Sequence, residues 1–165
     1  MRALGLLGVM LLGACQSADT AAVDPANATY RLDQRTMTLS NGLFEESAAP
    51  GSAAKATTRL HEKRATRDLN GDSKLDAAVV LTAGGSGSGT FHYLAGLLGT
   101  GAGRSESTNG VLLGDRIGVD AVRIDGGKIV VETLERRSGE PFTTAPSVKV
   151  TRTFQVKDGS LSEVK

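Results

Sequence analysis

The stretch 120–135, DAVRIDGGKIVVETLE, decides the fold class. Two runs rich in Val, Ile and Thr flank Asp125-Gly126-Gly127, and such runs around a glycine turn read as a β-hairpin. Downstream, Val148, Val150, Phe154 and Val156 share one parity, while Lys149, Thr151, Thr153 and Gln155 share the other. A period of two with one apolar face marks a half-buried strand of an antiparallel sheet. Asp158-Gly159 then turns the chain into a last short strand at 161–164.

Upstream the same grammar repeats. Residues 37–39 and 43–46 flank Asn41-Gly42, a second hairpin signal. Residues 57–66 alternate loosely, as an exposed strand would. The run 77–82 (AAVVLT) is apolar without alternation and bounded by glycine, which fits a buried strand. Residues 90–98 (TFHYLAGLL) are apolar on both parities, so a central strand and a short helix both fit; the aromatic start favours the strand. Gly is 21 of 165 residues, far above the usual share of about 7%, and helix interiors tolerate it poorly. The expected fold is all-β: a single antiparallel sandwich or meander of about eight short strands. Arg152 sits on the apolar parity of its strand, where a carboxylate partner such as Glu132, or an outward-turning bulge, is expected.

The N-terminus carries an address. Met1-Arg2 is followed by the apolar run 3–12, too short for a permanent span, which needs about 20 residues. Leu12-Gly13-Ala14-Cys15 resembles the lipobox of bacterial lipoproteins, a Leu and two small residues before an obligatory Cys. The resemblance implies cleavage before Cys15 and acylation of its thiol. The alternative is an ordinary secretory signal with an incidental cysteine. Residues 1–14 then form the signal peptide, 15–29 a lipidated, small and polar tether, and 30–165 a periplasmic β-rich domain. Three acyl chains would anchor the protein stably. Gln16 is not the Asp that retains lipoproteins at the inner membrane, so the resemblance implies the outer membrane, facing the periplasm. Segments 113–117 and 139–148 also resemble parts of Gram-negative lipoproteins, a likeness that implies no activity.

Cys15 is the one cysteine, so no disulfide can staple the domain. Of the 19 basic residues Arg2 leaves with the leader, and the rest balance the 18 acidic ones. With charges even and aromatics sparse, nothing suggests nucleic-acid binding.

One motif carries chemistry. Residues 68–76 read D-x-N-G-D-x-x-x-D and lead into the apolar run. Calcium takes six to eight oxygens, and Asp68, Asn70, Asp72 and Asp76 would supply side-chain oxygens, with the backbone carbonyl of Lys74. The pattern resembles the calcium loops of FG-GAP and integrin-type repeats and of dockerins, which implies a structural Ca2+. Two departures stand out: Ser73 replaces the glycine usual at the left-handed sixth place, and Val79 stands where an EF-hand has its bidentate Glu. The alternative is a solvated turn.

His61 and His92 belong to no zinc motif. Gly84-Gly85-Ser86-Gly87-Ser88-Gly89 fits neither a phosphate-binding loop nor a G-x-S-x-G elbow, and reads as linker. The sequence therefore predicts a non-enzymatic envelope module that binds another protein, wall glycan or surface component. Two other readings stay open: a hydrolase whose site assembles in three dimensions, and a small inhibitor of lysozyme-like enzymes.

Overall fold

Glycine turns and period-two patterning leave the chain little choice but antiparallel strands, and the described residues of the computed structural model form twelve. It describes residues 22–85, 87 and 89–165; the leader, Cys15, the tether up to residue 21, Ser86 and Ser88 lie outside the described residues. Among the described residues there is no α-helix, and one 3-10 turn at Pro25–Asn27 is capped by Asp24, which accepts the Ala26 N–H.

β1 (Thr29–Leu32) and β2 (Arg35–Thr38) form a hairpin of their own. The central sheet runs β3 (Leu43–Ser47), β4 (Lys55–Arg67), β5 (Asp76–Gly84), β6 (Thr90–Gly101), β7 (Arg104–Ser107). β8 (Val111–Asp115) also pairs with β6, taking its first half while β7 takes its second. A third sheet has the order β12 (Ser160–Glu163), β11 (Val148–Lys157), β10 (Lys128–Glu135), β9 (Gly118–Asp125). Every strand pairing is antiparallel.

The all-β antiparallel reading therefore holds, with more strands than the eight expected. β1, β7 and β8 are only four or five residues long, too short for periodicity alone to reveal them. The Asn41-Gly42 signal does form a tight turn, with φ +51 and +80. Yet the strands it joins, β2 and β3, lie in different sheets. It acts as a corner.

Alternation along β5 explains why its sequence lacks any polar face. Ala77, Val79 and Leu81 pack with Tyr30, Leu32, Met37 and Leu39 of the hairpin layer. Ala78 and Val80 point the other way, onto Ile129, Val131, Phe154 and Leu161 of the third sheet. The central sheet is thus covered on both sides, and a strand buried on both faces has no use for alternation. Val23 and Ala28 belong to the first core, so packing begins within the segment expected to be tether.

Arg152 is inward, as its parity requires, but its partner is Glu163. The pair is bidentate, at 2.9 and 2.7 Å, and Nη1 also donates to the Leu113 carbonyl at 3.1 Å. Glu132 cannot serve, because Val131 opposes Arg152 in the register. Glu132 points to the other face of the sheet and pairs with Arg123 at 2.5 Å.

Candidate functional site

Three places gather polar chemistry, and each can be built from its strands. The first is the loop 68–76. Asp68 Oδ1 accepts N–H bonds from Asn70 and Gly71, and its Oδ2 accepts from Ser73. Asn70 accepts from Asp72 N–H at 3.0 Å, and Asp72 from Lys74 N–H at 2.9 Å. The Lys74 ammonium lies 3.0 Å from the other Asp72 oxygen. These two bonds to Lys74, the backbone one first, hold the Asp72 carboxyl below its usual range. Ser73 adopts the left-handed conformation, φ +64, that the sixth place demands.

Asp76, expected with the other ligands, faces inward at the start of β5 and is completely buried. One oxygen accepts the Leu69 N–H at 2.7 Å and the other the Gly99 N–H at 2.8 Å. Burial pushes this carboxyl up, against the two N–H bonds that lower it; Asp72 and Asp68 raise it further. Asp76 ties the loop to β6. Among the described residues, no three His, Cys, Asp or Glu side chains converge as a metal would require.

The second place joins the two histidines. A register slip in β4 between Leu60 and Arg64 accompanies a T-shaped approach of His61 to His92, with ring centroids 6.2 Å apart. His61 Nδ1 accepts the Lys63 N–H. His92 is 7% exposed, and its Nδ1 has no hydrogen-bond partner. Burial lowers the pKa of both rings, and the neighbouring His61 charge lowers His92 further. Asp115 also acts on His92, but its oxygens take the Thr90 N–H and the Arg116 guanidinium. No hydrogen bond from either histidine to a carboxylate or hydroxyl occurs among the described residues.

The third place was not legible as a site. A cavity of about 350 Å³ opens between the β1–β2 hairpin and the ends of β3 to β6. Met37, Phe44, Phe91 and Tyr93 contribute its apolar walls, while Asp33, Arg35 and Glu46 add charge. Clefts from about 300 Å³ upward, mostly apolar with a few placed polar groups, are the usual shape of small-ligand sites.

Each part has a local cause. Asp33 occupies the β1–β2 turn at φ +53, a conformation that Asp and Asn tolerate better than most residues. From there it accepts the Tyr93 hydroxyl at 3.0 Å. Burial, then this bond and the Asp33 charge, raise the Tyr93 pKa. Arg35 on β2 bonds Glu46 on β3. Phe91 and Tyr93, two apart on β6, share a face. Gly84, Gly85, Gly87 and Gly89 line the cavity from the loop read as linker. A Cβ at Gly89 would lie 2.6 Å from the Phe91 ring, so the missing side chain is what admits that ring.

Exposed Phe142, with Arg116 stacked 3.5 Å from its centroid, draws the eye as a fourth candidate. Its neighbour Arg136 donates to the carbonyls of Thr144, Arg116 and Phe142, and Arg116 is paired with Asp115. Those cations hold the 136–147 loop.

No family model matches this chain, and neither a curated protein nor a solved structure matches it.

Proposed function

We propose that this protein is a binding module of the bacterial envelope, anchored through lipid on Cys15 to the outer membrane and facing the periplasm. The observation that carries the binding reading is the cavity, whose apolar walls and three charged residues suit recognition of a small amphipathic group. Among the described residues, neither histidine lines it. Binding is favoured over the hydrolase reading, which calls for His61 or His92 beside a hydroxyl and a carboxylate.

Ala83, on the face of β5 that lines the cavity, offers the test. A neutral amphiphile such as 1-octanol should shift the NMR resonances of residues 32–37 and 89–93, and Ala83→Phe, which fills the space, should abolish those shifts. Shifts scattered over the surface, or unchanged by Ala83→Phe, refute the assignment. The anchor is tested separately: mass spectrometry of the native N-terminal peptide should find a diacylglyceryl group on Cys15, and an unmodified thiol rejects it.

The loop 68–76 has a structural calcium role in this proposal. Asp68, Asn70, Asp72 and the Lys74 carbonyl would supply oxygens, and the ion would replace the Lys74 ammonium beside Asp72. Its function there is to pin the loop to the sheet.

A further inference from the structure

The charge around the cavity selects among amphiphiles. Its lining holds two carboxylates, Asp33 and Glu46, against one cation, Arg35. Arg35 is paired with Glu46, and among the described residues Asp33 is the lining carboxylate without a cationic partner. One Asp33 oxygen accepts the Tyr93 hydroxyl; the other accepts no hydrogen bond among the described residues. The rings of Phe44, Phe91 and Tyr93 line the same cavity, and Phe91 is 40% exposed. Aromatic faces attract cations, ammonium groups especially, by about 0.5–2 kcal/mol according to exposure. A carboxylate adds a charge-assisted contact. The same surroundings repel an anion.

From this set we infer that the cavity binds a cationic amphiphile, an ammonium group on an apolar body. Its charge meets Asp33 and the aromatic faces, and its body lies against Met37 and Phe44. The inference rests on the binding reading above and adds the sign of the ligand's charge. Arg35 serves to silence Glu46, which keeps the site's excess at a single negative charge and favours a monocation.

Three probes of equal chain length separate this inference from the reading beneath it: octyltrimethylammonium, 1-octanol and octanesulfonate, each titrated below its aggregation threshold and followed by NMR. The ammonium should bind about tenfold tighter than the alcohol, consistent with a cation–π contact plus a Coulombic ion pair. The sulfonate should bind weakest, and raising the salt should weaken the ammonium alone. Asp33→Asn keeps the left-handed turn, since Asn adopts it as readily. It should lower ammonium affinity about fivefold to tenfold and change the alcohol affinity far less. Equal affinities for ammonium and alcohol overturn the inference and leave the cavity reading intact. So does an unchanged ammonium affinity in Asp33→Asn. A sulfonate preference overturns it in favour of Arg35 as the recognising group. Binding of none of the three overturns both.

Discussion

Asp76→Ala tests the fully buried carboxylate that ties the 68–76 loop to β6. The carboxylate is fully buried and receives N–H bonds from Leu69 at 2.7 Å and Gly99 at 2.8 Å. Truncation leaves both N–H groups buried without an acceptor, at about 1–3 kcal/mol each, so roughly 2–6 kcal/mol together. Removing a buried carboxylate returns part of its desolvation cost, the same cost that raises its pKa. The expected net loss is about 3 kcal/mol, a sizeable part of the roughly 5–15 kcal/mol that holds a domain folded. Asp76→Asn keeps one acceptor and turns an amide N–H toward the other donor, so it should fall between wild type and alanine. The assay is urea unfolding, followed by circular dichroism. At roughly 2 kcal/mol per molar the alanine midpoint should drop by about 1.5 M with the slope unchanged. The loss should be equal in calcium and in chelator, because the bonds are to backbone. A loss below about 1 kcal/mol, or one that appears only with calcium present, would refute the reasoning.

Other expectations concern separate parts of the molecule. His92 is held neutral in the fold, with its pKa below the ordinary 6.5. Its contribution to stability is therefore complete above about pH 6.5 and is lost as pH falls through the folded pKa, because the unfolded chain protonates first. A urea midpoint that stays flat from pH 7 to 5, or one with the same slope in His92→Gln, would contradict this. Gly99→Ala places a Cβ 2.5 Å from the Leu75 carbonyl oxygen, and overpacking against backbone should cost about 1–3 kcal/mol in the same assay; a neutral result would show that β5 yields there. Arg152→Met strands Glu163 and the Leu113 carbonyl, and should destabilise more than the double change with Glu163→Gln, as a thermal melt of both variants would show. Calcium at millimolar concentration should raise the melting midpoint over chelator, more so in Lys74→Ala, and identical midpoints in wild type would remove the ion from the loop.

How much of this was legible follows from what each signal depends on. Strands with one wet face, such as β11, announce themselves because alternation is local. So do turns whose residues sit at positive φ: Gly126 and Gly127 at +53 and +73, Asp158 and Gly159 at +51 and +72. The long β4 and the doubly covered β5 were readable as strands, although their sheet partners were not. Partnering is a non-local property. That is why Asn41-Gly42 signalled a hairpin and produced a corner, and why Glu132 stood in for Glu163 beside Arg152. The cavity was invisible for the same reason, since Asp33, Glu46 and Phe91 come from three separate strands or turns. Two local hints did exist: Phe91 and Tyr93 on one parity of β6, directly after a glycine run. The inward turn of Asp76 had none, because a carboxylate that holds backbone and one that holds an ion look alike in sequence.

Val23 lies beside Gly99, where a Cβ on the glycine would meet it at 3.4 Å, at the far end of β6 from Phe91. The strand between them covers about 26 Å at roughly 3.3 Å per residue. Val23, near the start of the described chain, and the cavity mouth at Phe91 thus sit at opposite ends of one strand, as the foot and the head of a single span.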